Sequence, residues 1–599
     1  MYVFYCGLIW LLVYLLPGLA FFPQLMASPT IAFALPIVSA FIIYSFSSLL
    51  LALGIFDTTS VLILALTLGS IGVFRTFRLW RESAFSWTKQ AIGIYVLQAI
   101  LLFPYFVKLG THAFDRGDEI YSWNFWAIQH YFQETIDFSH TGAPYPQLFP
   151  KLLAFCYHLV GNIDLQLPTK ATLIIFPWAM LTAIATVAWK RFGALKGAFW
   201  MLWLAVLMLV GLGQFFDDGY ADPIMTSGLI ISIVLLWFSQ KGIPARLNSI
   251  QLAALSVLCA VMAAHTKQVA LLWTLFSLPV ILCWAAFQKR DWRLAALALL
   301  SVTGGLWWVL GEGNTFHHNT GVLSLSWSDR DLVSQLAYSA NKYFVQQPAL
   351  FLLFVFAIWA SFKEVILRRI VLLFMIPSLL CWFLMGAYQL RLGQHLIALA
   401  YFLWVASGQM LPSFGRFESR LKPMMVGAMA LSLCLGIGLF VREQQKGLNL
   451  YEGGKQSLLR YFGQDTDLIY QHIYADPQSL VWVPSRYLYG LFYKRTRLLT
   501  PDYSNYGVYD HAALIDELQR KSPDYVFTVS QAIMGGPASE LLKEIIAQCP
   551  VAFEHVSGPQ SKFSFETYKI NKPLLQQDPC LVTLVSNKGY DVQKLKAGA

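Results

Sequence analysis

The chain has 599 residues, of which 57% are hydrophobic and 13% charged, with a formal net charge of +10. Soluble domains carry about 25% charged residues, so this composition excludes an ordinary soluble enzyme and indicates a membrane-embedded chain. The basic residues sit in short clusters between apolar segments and are not interleaved with aromatics on a soluble face, which argues against nucleic acid as a partner.

From the N-terminus to Phe56 there is no Asp, Glu, Lys, Arg or His, and Asp57 is the first such residue. Apolar runs long enough to cross a bilayer as helices recur along the chain, and no alternating pattern suggests a barrel. The first run has no basic segment ahead of it and no small-residue cleavage site, so a removable signal peptide is not expected. No internal repeat or low-complexity segment is evident. Basic clusters occur at Arg75/Arg78/Arg81/Lys89, Lys190/Arg191/Lys196, Lys241/Arg246, Lys289/Arg290/Arg293, Lys363/Arg368/Arg369 and Arg416/Arg420/Lys422. Two apolar runs separate each cluster from the next, so all fall on one face, which the positive-inside rule assigns to the cytoplasm. The connections at 110–170, 215–223, 265–267, 311–347 and 388–394 then face outward, as does everything after about Arg442. The expected fold is a polytopic all-α membrane bundle of about fourteen spanning helices, with the N-terminus outside. Leu148–Val160 is short for a span and carries Lys151 and His158, so it reads as an interfacial helix.

The tail beyond about Gln444 reads as a small soluble α/β domain. Residues 479–484 and 525–530 have the pattern of buried strands, and His511–Lys521 that of an amphipathic helix. Of the eight cysteines, six lie in apolar runs, while Cys549 and Cys580 are the pair in the tail. An oxidising compartment would permit a bond between these two, and the sequence leaves it open.

The first long outward connection contains Asp115, Arg116, Asp118 and Glu119, followed by Tyr121, Trp123, Trp126 and Tyr131. A carboxylate held at the membrane surface can act as general base on a sugar hydroxyl, although ordinary acids in a solvated loop have the same composition. Lys267, in His265-Thr266-Lys267, and Arg391, beside His395, are outward cations that depart from the positive-inside pattern. Such groups suit a lipid-linked phosphate, or simply snorkel to the interface. The turn from Phe216 to Pro223 holds Asp217, Asp218 and Asp222, which could bind a divalent cation or position substrate hydroxyls, and is equally the composition of a tight turn. His317-His318 has no further ligand at metal spacing, and no phosphate-cradling glycine loop, nucleophile elbow or zinc signature is present. No cofactor is required on these grounds.

Gly117-Asp118-Glu119-Ile120-Tyr121 in that first connection, followed by Tyr145-Pro146-Gln147-Leu148, resembles the signature of the GT-C superfamily of membrane glycosyltransferases. It looks most like the branch containing protein O-mannosyltransferases and the bacterial lipid A aminoarabinose transferase. The resemblance covers the chain from about Ala91, and three helices precede the family's usual first one. It implies N-terminal extra helices over 1–90, a catalytic membrane domain over 91–442 with an outer loop at 110–170, and a non-cytoplasmic domain over 443–599. It further implies a bacterial inner-membrane enzyme that takes a sugar from a polyprenyl-phosphate carrier such as undecaprenyl phosphate. The acceptor would be an envelope lipid, glycan or protein. By the same resemblance Asp118, the first acid of the pair with Glu119, would orient or deprotonate the acceptor, Lys267 and Arg391, with His395 adjacent, would bind the donor phosphate, and a metal need not be involved. Asp217, Asp222 and Tyr145 are further candidates for holding substrate, and a divalent cation remains possible. Two other classes remain open: an O-antigen ligase-like enzyme, for which Arg330 is the relevant residue, and a lipid or polysaccharide transporter.

Overall fold

The computed structural model describes residues 2–82, 85–114, 118–133, 136, 145–193, 219–243, 247–311, 331–386, 390–408, 418–445, 478–484, 498–501, 509–529, 532–557 and 565–587. Its contacts divide the chain into two compact units. One comprises residues 1–112 with 141–450, and the other residues 113–140 with 451–599. The N-terminal helices therefore share a unit with the bundle that follows them, and the first part of the long connection at 110–170 groups with the tail.

The membrane unit contains α1 (Tyr2–Phe21), α2 (Ala32–Ala52), α3 (Thr58–Arg81) and α4 (Lys89–Thr111). The short α5 (Asn124–Tyr131) belongs to the other unit. There follow α6 (Leu148–Val160), α7 (Gln166–Phe192), α8 (Ala221–Lys241), α9 (Ser249–Thr266), α10 (Gln268–Lys289) and α11 (Trp292–Gly311). The unit closes with α12 (Leu332–Val345), α13 (Pro348–Ser361), α14 (Val365–Leu384), α15 (Leu390–Ala406) and α16 (Val426–Gln445). Among the described residues, 10 of these helices are long and apolar enough to cross a membrane, and α12 with α13, bent by 96°, can supply an eleventh. Helices α11 and α15 carry shorter apolar stretches, and the span expected near 197–215 lies outside the described residues.

Local chemistry sets where these helices begin. The Asp57 carboxylate accepts the Ser60 N–H to start α3, and the Thr88 hydroxyl accepts the Ala91 N–H to start α4. Asn248 and Gln251 form a reciprocal capping box at α9. In lipid the apolar surface gives helices little reason to associate, so small residues and hydrogen bonds decide which faces meet. Gly18 lets α1 close on α2, where its N–H donates to Ser39 Oγ at 2.9 Å. Gly72 on α3 lies against the Leu16 backbone, where any Cβ would collide. The outward faces remain apolar and exposed, as at Leu66 and Phe74 on α3 and Leu431 and Ile437 on α16. Such a belt is unstable in water and suited to lipid.

Helix α6 has the anticipated 13 residues, and Leu148 to Leu159 are all buried by protein. Lys151 Nζ donates to Ser48 Oγ at 3.1 Å, and His158 Nδ1 lies 3.2 Å from Thr58 Oγ1. Its polar residues thus meet the end of α2 and the start of α3.

At the other end of α8 from Asp222, Glu364 ties three segments together. It receives the Trp237 indole N–H at 2.7 Å, pairs with Lys241 at 3.0 Å and also pairs with Arg191. Glu364→Ala is expected to destabilise the protein by about 1.5–3 kcal/mol, discounted for the solvent reaching Lys241. Unfolding midpoints in detergent or nanodiscs will measure it, and binding of a lipid phosphate should be unchanged.

The second unit contains a five-stranded sheet in the order β2-β1-β3-β5-β4. The strands are β1 (Val481–Trp482), β2 (Leu498–Leu499), β3 (Tyr525–Val529), β4 (Phe553–Ser557) and β5 (Phe565–Ile570). Strands β2, β1 and β3 run parallel, and β3, β5 and β4 antiparallel. Helices α17 (His511–Lys521), α18 (Ala532–Gln548), α19 (Lys572–Gln577) and α20 (Pro579–Asn587) complete the domain. Trp482, Leu514, Leu518, Val526, Leu542 and Ile545 form its core. Glu517, at that core's edge, is fully buried and receives Trp482 Nε1, the Tyr509 hydroxyl and Lys521 Nζ. The strands and helix expected from the sequence are therefore present, and the fold is α/β.

Cys549 and Cys580 form a disulfide across 31 residues, joining the end of α18 to the start of α20. The cross-link should contribute about 3–4 kcal/mol through the restricted unfolded chain. A Cys549→Ala/Cys580→Ala variant is expected to lower the unfolding midpoint of this domain and leave the membrane unit's unchanged. Domain-resolved hydrogen exchange would show the difference.

Candidate functional site

Helix α8 is the central helix of the membrane unit, with every residue from Ala221 to Ser239 buried. Asp222 and Lys241 are 19 residues apart on it, about 28 Å at the helical rise, which matches the hydrocarbon thickness. Helix α8 is thus long enough for the charges at its two ends to stand toward opposite faces of a membrane. The Asp222 carboxylate, in the first turn, sits where a helix favours negative charge.

Three chain segments converge on Asp222. Helix α9 ends at Thr266, and Lys267 follows in an extended conformation before the chain turns into α10. This break directs Lys267 Nζ onto Asp222 Oδ1 at 2.6 Å. From the turn that opens α15, Arg391 Nε approaches Asp222 Oδ2 at 3.8 Å, and its guanidinium lies 4.1 Å over the Tyr220 ring. His395, in the first turn of α15, is 2% exposed. The charges of Asp222 and Lys267 act on its ring, as does the backbone of Leu392. Thr226, one turn beyond Asp222, keeps a buried hydroxyl without a partner among the described residues.

The balance of charge decides what this cluster can do. Among the described residues, two cations, Lys267 and Arg391, face the Asp222 carboxylate. Buried polar atoms without partners each cost about 1–3 kcal/mol. A cluster of an ammonium, a guanidinium and an imidazole is of a chemistry that suits an anion with several acceptor oxygens.

Of the expected site residues, the structure brings Lys267, Arg391, His395 and Asp222 together. Asp222 serves there as the partner of Lys267. Asp217 and Asp218 lie outside the described residues, as do Arg330, His317 and His318. Among the described residues no group of His, Cys, Asp and Glu is arranged to hold a metal ion. Tyr145 precedes α6, where its carbonyl accepts from Gln147 Nε2 at 2.9 Å. Asp118 and Glu119 belong to the second unit. Asp118 stands at the start of a helical turn, Glu119–Trp123, that runs into α5, and Glu119 is fully buried. Sequence reading did not single out Tyr220, whose only signal is its place two residues before Asp222, or the buried cation Lys170.

No family model matches the chain, and no curated protein matches its sequence. Among solved structures it is similar to ArnT from Cupriavidus metallidurans bound to undecaprenyl phosphate, with a TM-score of 0.48 and 12% identity over 79% of this chain and 97% of that one. The apo state of the same ArnT aligns with a TM-score of 0.48 and 12% identity, over 81% of this chain and 98% of that one.

Proposed function

We propose that this protein is a membrane glycosyltransferase that takes its sugar from a polyprenyl-phosphate carrier. The observation that carries the reading is the buried cluster of Lys267, Arg391 and His395 around the Asp222 carboxylate, at one end of the apolar helix α8. An apolar chain in the bilayer and an anionic group at its edge describe that donor, and the cluster supplies the anion's counter-charge.

In the reaction, an acceptor hydroxyl oxygen attacks the anomeric carbon and the bond from that carbon to the phosphate oxygen breaks. The electron pair leaves with the polyprenyl phosphate, which gains one negative charge. Lys267 and Arg391 stabilise that charge as it develops, and the arrangement needs no reorganisation at the moment of transfer. The hydroxyl proton goes to a carboxylate. By the sequence resemblance this is Asp118, with Glu119 beside it. A single displacement inverts the anomeric centre. The outer face is supported by the basic clusters of the intervening loops and by the Cys549–Cys580 disulfide, which suits an oxidising compartment.

Mass spectrometry of envelope lipids, glycans and proteins from cells with and without the protein tests the reading. A sugar-sized mass should vanish from one product class while the polyprenyl-phosphate sugar is retained. Unchanged products together with mislocalised polymer or lipid would point instead to transport.

A further inference from the structure

The helices ahead of the resembling region have no assigned purpose, yet α2 reaches the segment that carries Lys267. Tyr44 Oη on α2 lies 2.9 Å from His265 Nδ1, and His265 Nε2 lies 3.0 Å from the Gly304 carbonyl on α11. A carbonyl only accepts, so Nε2 carries the proton, and in the neutral ring Nδ1 accepts from the Tyr44 hydroxyl. The Tyr44 and His265 rings also stand 5.4 Å apart, and Lys151 Nζ lies 5.2 Å over Tyr44. Gly304 makes the second of these hydrogen bonds geometrically available, since a Cβ there would meet the Val261 side chain at 2.6 Å.

His265 is two residues before Lys267, in the last turn of α9. That turn is where the helix must stop for Lys267 to extend toward Asp222. Its last backbone bonds include Lys267 N–H to the Ala263 carbonyl at 3.0 Å, and the Thr266 hydroxyl turns back to the Met262 carbonyl. Anchored on one ring edge to α2 and on the other to α11, His265 holds the end of α9 against both rotation and fraying. We propose that Tyr44 and His265 are positioning residues for Lys267, which makes the N-terminal helices a working part of the anion cluster. The inference rests on the reading of that cluster as the donor-phosphate clamp.

The test uses the full-length protein in lipid nanodiscs with undecaprenyl phosphate as the probe. Wild type, Tyr44→Phe, His265→Gln, their double variant and Ser39→Ala are compared by hydrogen exchange of residues 262–270 and by lipid-phosphate affinity. Phenylalanine keeps the ring and removes one oxygen, and unfolding midpoints are read alongside. Ser39→Ala removes a buried hydrogen bond within the same N-terminal helices, but far from α9 in its partners. Tyr44→Phe is expected to accelerate exchange at 262–270 and weaken binding, each by about tenfold, with no further loss when His265 is already changed. Ser39→Ala should do neither. Exchange that stays at the wild-type rate, or rises equally across the bundle, overturns the proposal. So does local acceleration with wild-type affinity. If wild type fails to bind the probe while local acceleration is seen, the donor reading fails and the positioning of Lys267 stands.

Discussion

Replacing Lys267 by methionine is expected to lower sugar transfer by about 10²–10³-fold, the cost of removing one preorganised charge from a developing oxyanion. Methionine fills the same length of pocket, so the change is chiefly one of charge. A structural objection must be answered, because Lys267 also pairs with buried Asp222 at 2.6 Å. Breaking a buried pair costs about 3–5 kcal/mol when the remaining charge is stranded, and less here because Arg391 stays at 3.8 Å from the same carboxylate. The double variant Asp222→Asn/Lys267→Met separates the two roles. It removes both charges and should recover most of the lost stability while transfer and lipid-phosphate affinity stay low. Recovery of transfer together with stability would make the pair a structural bolt and nothing more. Transfer rates at saturating acceptor, with unfolding midpoints on the same preparations, decide between them.

Asp118→Asn is expected to reduce transfer by about 10²–10⁴-fold, the range for removal of a general base. The amide matches the carboxylate in size and cannot take the proton. The assignment rests on the Gly117-Asp118-Glu119-Ile120-Tyr121 resemblance, so the variant tests that resemblance directly. Donor affinity should remain at the wild-type level, because the base acts on the acceptor and Lys267 on the donor. Loss of transfer with retained donor binding in Asp118→Asn, and loss of both in Lys267→Met, would assign the two halves of the reaction to different residues. Wild-type turnover in Asp118→Asn would leave Glu119 as the next carboxylate to examine, and its complete burial argues that its role is to hold the turn.

Much of the architecture was legible beforehand because lipid imposes a simple rule. A chain that cannot hydrogen-bond its surroundings must form helices, and their lengths are read directly from apolar runs. The strands at Val481 and Tyr525 and the helix at His511 were equally legible, since alternation and amphipathic periodicity reflect one buried face. The enclosure of helix α6 was not legible, because Ser48, Tyr44 and Thr58, the partners of Lys151 and His158, lie about a hundred residues earlier in the chain.

The candidate site divides along the same line. Sequence by itself determined that Lys267 and Arg391 stand at helix ends, because hydropathy and charge are local properties. It could not show that Asp222, Lys267, Arg391 and His395 meet, since they come from segments separated by up to 173 positions. Only the packing of α9 and α15 on α8 decided that convergence, and only the approach of α2 and α11 to His265 decided how the end of α9 is held. Helix packing depends on which small residues allow backbones to touch, and that is a relation between faces which no single stretch of chain contains.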